Sequence, residues 1–313
     1  VLAHVVWCGD RSADVVNTGR AVSRIAATAR SWVGAHRPRT IPAVAAMALV
    51  LVQITYPLSA GTWRDRITVA VVVLSVSTAL LHAVTTRGWR WAAGFFVIVS
   101  GIGLASEIVG TATGVPYGAY AYATDRLGPA LADVPLVVPL AWTGGLYPIW
   151  VVAGLLAGID AARTGGHGTG SAARVPRVGG RAGVIRAALL VVGAVGWDLF
   201  LDPQMVADGQ WTWSVTDAGL PGLAQIPYTN YLGWMLVASL MAVLLTALDR
   251  LLPRAHDPSV AVPVAVFAWT WLGSALAHAV FLGLPASAAW GFAGMGLLGI
   301  PLARRAAARW RNP

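Results

Sequence analysis

Residues 67–85 read ITVAVVVLSVSTALLHAVT. Arg64 and Arg66 precede this stretch, Arg87 and Arg90 follow it, and no Asp, Glu, Arg or Lys lies within it. A helix of that length, rising about 1.5 Å per residue, crosses a hydrocarbon core about 30 Å thick. Lipid offers no partner to a backbone amide, so a spanning segment must close its own hydrogen bonds and is a helix. Seven further stretches repeat the pattern, at about 41–58, 91–110, 134–159, 183–201, 229–252, 260–282 and 286–303. The sequence predicts an all-α, polytopic membrane bundle of about eight transmembrane helices.

Composition agrees. The chain is 57% hydrophobic and only 11% charged, whereas a water-facing domain carries about 25% charged residues. Its basic residues are all arginine, and they alternate in number with each crossing. The arm before the first span holds Arg11, Arg20, Arg24, Arg30, Arg37 and Arg39. Arg87 and Arg90 follow the second span, and Arg163, Arg174, Arg177, Arg181 and Arg186 the fourth. Arg250 and Arg254 follow the sixth, and Arg304, Arg305, Arg309 and Arg311 end the chain. The opposite side has Arg64, Arg66 and Arg126 alone. This asymmetry predicts both termini in the cytoplasm and a multi-pass protein of the inner (plasma) membrane. It also accounts for the high pI without nucleic-acid binding.

Three regions follow: a basic cytoplasmic arm over 1–40, a transmembrane catalytic domain over 41–303 and a basic tail over 304–313. Residues 15–33 place Val15, Val22, Ile25 and Ala29 on one helical face, which suits a helix on an anionic leaflet or, equally, an unstructured arm. Residues 163–181 read as a flexible loop. Cys8 has no second cysteine to pair with, and no signal peptide is expected before the first span.

Ionisable groups inside a bilayer cost about 2.5–3.5 kcal/mol on insertion, so each needs a reason. Glu107, the one glutamate, falls in the third span; Asp198 falls in the fifth, with Asp202 one turn later at its end; His278 falls in the seventh. By the arginine count all four lie near the outer membrane face, where Asn230, Tyr231 and Trp234 open the sixth span. His82 lies near the inner end and is expected outside this group. The outer connections, 111–133 and 202–228, are long and rich in aromatic, Gly and Pro residues, as loops that cap a site often are. Blander readings compete: interfacial belts for Tyr117, Tyr120, Tyr122, Trp211 and Trp213, an interhelical hydrogen bond for His278, and a solvated helix end for Asp202.

Carboxylic acids and a histidine among aromatics in an apolar setting suit acid–base chemistry on a lipophilic substrate. Burial disfavours the charged form of a carboxylate, leaving an acid able to protonate an isolated alkene. Aromatic faces and a second carboxylate would stabilise the resulting tertiary cation, and water would capture it. No metal and no cofactor are needed. The Asp198/Asp202 spacing also admits a Mg²⁺–diphosphate site of a membrane prenyltransferase, and carboxylates in broken helices also build proton relays of transporters. A non-catalytic protein that binds or transports a lipophilic molecule is the remaining alternative.

The runs SEIVGTATGVPYGAYAY (106–122), VPLVVPLAW (134–142), WDLFLDPQMVADGQWTW (197–213) and IPYTNYLGW (226–234) together resemble the CruF-type carotenoid-biosynthesis membrane proteins, over roughly residues 40–302. That family includes γ-carotene and lycopene 1′-hydratases and the bisanhydrobacterioruberin hydratases of C50 pathways. The resemblance implies a cofactor-independent carotenoid hydratase, a hydro-lyase adding water across the terminal C1=C2 double bond of an acyclic ψ end group. Glu107 matches the glutamate of E-x-x-G-x-x-x-G, Asp198 and Asp202 the WD-x-x-x-DP pair, and Asn230 and Trp234 the N-[FY]-x-GW segment. Tyr117 and Tyr231 stand where Phe is frequent.

Catalytic roles are expected for Glu107, Asp198, Asp202 and His278, with Glu107 or Asp198 as proton donor. Substrate contacts are expected from Tyr117, Tyr120, Trp142, Trp197, Trp211, Trp213, Asn230, Tyr231 and Trp234. The implied partners are a lycopene-like or C50 carotenoid and the lipid bilayer, with association with other carotenoid-pathway membrane enzymes a further expectation.

Overall fold

The computed structural model describes residues 40–159, 180–252 and 259–311. The arm with its candidate surface helix at 15–33, and most of the 163–181 loop, lie outside the described residues. The chain divides at residue 41, and the first unit contributes only Thr40 and Ile41 to what is described.

Eight helices are long and apolar enough to cross a membrane. They are α1 (Thr40–Leu58), α2 (Gly61–Arg87), α3 (Trp89–Thr113), α4 (Val137–Leu156), α5 (Arg181–Ala207), α6 (Tyr228–Leu251), α7 (Ala261–Leu276) and α8 (Pro285–Arg311). Gly88 alone joins α2 to α3, at φ 86°, a left-handed turn that a residue with a Cβ would resist. A single π turn, Ala277–Phe281, extends α7.

The most enclosed helix is α4, apolar on every face and packed against α2, α3, α5, α7 and α8. The outward faces of the bundle stay apolar, as Val97, Leu236 and Val243 illustrate. A surface of that kind is stable against lipid and costly against water.

Two sequence expectations shift in detail. The fifth span does not stop near residue 201: α5 carries both Asp202 and Pro203 inside it and runs to Ala207. The tail expected from residue 304 continues α8 to Arg311. Arg186, counted above with a loop, is 1% exposed inside α5. It pairs with Asp249 of α6 at 2.6 Å, and its guanidinium lies 3.3 Å over the Trp150 ring. Arg87 pairs with the same aspartate. The arginine count reads sequence position only, and a helix end can draw a charge inward when an acid waits there.

The two outer connections are not bare loops. They carry strands β1 (Tyr120–Tyr122), β2 (Ala130–Leu131), β3 (Val134–Pro135), β4 (Trp211–Trp213), β5 (Gly219–Leu220) and β6 (Leu223–Pro227). β1 and β4 pair antiparallel, Tyr120 opposite Trp213 and Tyr122 opposite Trp211, so one connection clasps the other. Arg126 fastens the clasp to the helices: it reaches both oxygens of Asp65 on α2, at 3.2 and 2.7 Å, and the Asp208 carbonyl after α5.

Candidate active site

Glu107 sits less than two turns from the end of α3. Gly110, on the same face, allows two tyrosines to close over it: a Cβ there would meet the Tyr120 hydroxyl at 2.8 Å and the Tyr117 ring at 2.9 Å. Gly114 then caps α3 in the left-handed region, φ 75°, and turns the chain back toward β1. These two requirements explain the glycine spacing of E-x-x-G-x-x-x-G. In extended backbone, residues two apart share a face, so Tyr120 and Tyr122 both reach the glutamate. Each donates to Oε2, Tyr122 at 2.7 Å, and Trp142 Nε1 of α4 donates to Oε1 at 3.2 Å.

Burial pushes the Tyr117, Tyr120 and Tyr122 hydroxyls well above the ordinary phenol range, and the Glu107 carboxylate adds to the effect. They therefore remain protonated donors. Tyr117 pairs with Ser106 at 2.9 Å and so stiffens the same wall.

A second acidic group stands on α5. The i,i+4 spacing puts Asp198 and Asp202 on one face, and their carboxyl groups adjoin. Asn230, in the first turn of α6, donates its amide to Oδ2 of both, to Asp198 at 3.0 Å. Trp211 Nε1 of β4 donates to Asp202 Oδ1 at 3.2 Å. The strand pair links the two acidic groups: Tyr122, which holds Glu107, meets Trp211, which holds Asp202, edge to face at 5.4 Å.

Glu107, Asp202 and Asn230 line one cavity of about 440 Å³. Its wall includes Trp142 and Trp234, stacked at 3.9 Å, with Trp197 edge-on to Trp234 at 5.8 Å. Tyr117, Tyr120, Trp211 and Trp213 complete the aromatic lining. Away from the acids the cavity runs between α1 and α7, where Trp269 Nε1 donates to Gln53 Oε1 at 2.9 Å.

Of the thirteen residues singled out from sequence, ten line this cavity and three do not. Asp198 lies behind Asn230, fully buried. Tyr231 is buried and does not line the cavity wall. His278 does not line the cavity, and its ring nitrogens meet Ser287 Oγ at 2.8 Å and Gln204 Oε1 at 3.1 Å. Depth in the bilayer brought it near the others in the sequence reading, but depth does not fix the direction a side chain takes. His82, as expected, is elsewhere, held between Tyr147 and the Ser259 carbonyl.

Sequence reasoning passed over Tyr122 as a site residue, although its two-residue spacing from Tyr120 was a usable signal. It also missed Gln204 and Tyr56, which line the cavity, Tyr56 being bonded to Asp208. Those contacts join α1 to the end of α5 and leave no local sequence mark.

A family model described as "Carotenoid biosynthesis protein" matches residues 67–298. That range contains every carboxylate of the site and leaves out α1. The chain is also similar to the bisanhydrobacterioruberin hydratase of Haloarcula japonica, 33% identical over 140 residues. The match covers 44% of this chain and 39% of that relative's length. No solved structure matches.

Proposed function

Because the chain belongs to the carotenoid biosynthesis protein family, we propose that it is a hydratase, adding water across the terminal C1=C2 double bond of an acyclic carotenoid end group. The observation that carries this reading is the cavity itself. It has an aromatic, apolar wall with carboxyl groups set into it, and their hydrogen-bond partners are neutral donors: Asn230, Trp211, Trp142, Tyr120 and Tyr122. A diphosphate-handling site would be expected to gather arginines around the aspartates, and none donates to Asp198, Asp202 or Glu107 among the described residues. The Haloarcula japonica relative is a hydratase by name, which supports the same chemistry here.

The residues divide the work. Glu107 receives three neutral donors, which favour its charged form, so it serves as the fixed anion. The adjoining Asp198 and Asp202 share one proton, because two bare charges side by side in a dry site repel strongly. Asp202, on the cavity wall, delivers that proton to the alkene. The tertiary cation then lies against the Trp142–Trp234 stack and opposite Glu107, stabilised by the ring faces and by the carboxylate. Water closes the sequence as a tertiary alcohol.

The end group enters the cavity while the polyene trails between α1 and α7 toward the bilayer. The arginine asymmetry supports an orientation with both termini cytoplasmic and the acids near the outer interface. The test is expression in a lycopene-producing host, with chromatography and mass measurement of the pigments. A more polar carotenoid carrying ¹⁸O from labelled water is expected; pigment chemically unchanged would refute the reading for this substrate class.

A further inference from the structure

The cavity is enclosed on one side of a single hydrogen bond and open on the other. Trp269 Nε1 of α7 donates to Gln53 Oε1 of α1 at 2.9 Å, and both residues line the cavity. The indole lies over Gly273, one turn further along α7, where a Cβ would come within 3.3 Å of the ring. Held at its N–H by one helix and on its face by the other, the ring forms a bar between α1 and α7. Before the bar in both helices the lining is enclosed: Leu49 is 1% and Val266 7% exposed. Beyond it the lining includes Ile54, Leu58, Leu276 and Phe281, all between 45% and 69% exposed.

A side chain that lines a cavity and also faces outward stands at its rim. These four are apolar, so the mouth they frame suits lipid rather than water. It lies at the acidic end of the cavity. Tyr56 bonds to Asp208 just after α5, and His278 bonds to Gln204, two residues beyond Asp202, which sets these ends of α1 and α7 beside the acids.

The length of the site argues for what passes through. On α7 the lining runs from Val266 to Phe281, about 22 Å at the helical rise. An acyclic carotenoid is longer, and its conjugated chain is a stiff rod that cannot coil inside. With the end group at the acids, the rest must leave through the wall. We infer that the gap between α1 and α7 beside the Gln53–Trp269 bond is the doorway by which the carotenoid enters from lipid, and that this bond fixes the doorway's width. The inference rests on the hydratase reading for the end group that is seated. A ring pinned at edge and face does not swing aside, so it passes a slim acyclic chain and holds back the bulkier six-membered ring of a cyclised end. Gln53 and Trp269 are thus specificity-determining residues that touch none of the carboxylates.

Two experiments on the full chain in lipid nanodiscs test this, both in a Cys8→Ser background. In the first, Leu58→Cys or Phe281→Cys is capped with a bulky benzyl methanethiosulfonate. Uptake of an acyclic carotenoid, read from pigment retained by the protein, should fall about tenfold and recover when reductant removes the cap. The same cap on Leu232→Cys, exposed on α6 and away from the cavity, should change nothing. Undiminished uptake through a capped rim would overturn the doorway. In the second, Gln53→Leu frees the indole. A carotenoid cyclised at both ends should leave acyclic uptake by the background protein unaffected and should compete in Gln53→Leu, while kcat for the acyclic substrate stays unchanged, because the acids are untouched. Competition in both proteins, or in neither, would overturn the role of the bond. Since uptake is read from the pigment, it decides the doorway even where no alcohol forms; that failure would count against the hydratase reading alone.

Discussion

Ser287 Oγ donates to the carbonyl of Leu199 at 2.7 Å, and that carbonyl lies four residues before Pro203. Proline has no N–H, so Pro203 leaves Leu199 without its intrahelical partner. Ser287 supplies the missing hydrogen from α8, and His278 Nδ1 meets the same hydroxyl at 2.8 Å. The turn repaired in this way is the one that carries both Asp198 and Asp202. Through Ser287, His278 is thereby linked to the turn that carries the two aspartates.

The repair can be measured. Ser287→Ala should cost about 1–3 kcal/mol, the penalty for an unpaired buried carbonyl. Pro203→Ala restores the backbone donor, so Ser287→Ala made in that background should cost clearly less. Thermal unfolding of the four proteins gives the coupling directly. Strict additivity would show that Ser287 and Pro203 do not answer one another.

Glu107→Gln replaces an acceptor pair by a group that offers an amide to three donors. Product formation should fall about 10²–10³-fold, as when a charge-stabilising group is removed, while the protein still inserts and retains pigment. Pigment analysis in the producing host checks it. Near-normal conversion would remove Glu107 from the chemistry.

Asp202→Asn should abolish alcohol formation and, in D₂O, deuterium exchange into the recovered carotenoid together, because it removes the proton that starts the sequence. Exchange persisting in Asp202→Asn would reassign the donor.

The tyrosines around Glu107 are held protonated by burial and by the carboxylate they serve. A raised pKa means the neutral donor form outlasts the ordinary phenol range near 10. Activity against pH should therefore show no loss between about 8 and 10 that Tyr122→Phe abolishes. A basic limb in that window, absent from the variant, would contradict the donor role of Tyr122.

How far the sequence carried these conclusions depends on the range of each interaction. Apolar runs between arginine clusters are local, so all eight spans were legible, with ends within a few residues except in α2, α5 and α8. Pro203 suggested a helix end because its cost is visible in sequence, whereas the compensating Ser287 lies on another helix. Glu107, Asp202 and Asn230 were legible because a polar group in an apolar run is conspicuous. The β1–β4 clasp was not: strands of three residues carry little pattern, and what fixes their register is a partner in the other connection. Asp198 and Tyr231 were found as residues, but that neither lines the cavity was not legible, since helical position gives depth and face only relative to neighbours still unknown.

The inner cluster gives the last prediction. Asp249 receives Arg186 at 2.6 Å, Arg87, and Trp91 Nε1 at 2.7 Å, and it is 4% exposed. Two guanidinium groups thus lean on one carboxylate in a place with little water to replace it. Removing one partner of a buried ion pair leaves an uncompensated charge, which costs about 3–5 kcal/mol. Asp249→Asn should accordingly destabilise the bundle by that order. Arg186→Met in the same background should recover part of the loss, because it removes one stranded charge and keeps a long apolar side chain against Trp150. Unfolding temperatures of the single and double variants decide it. If Asp249→Asn melts with the wild type, the cluster is solvated, and its arginines belong with the loop charges after all.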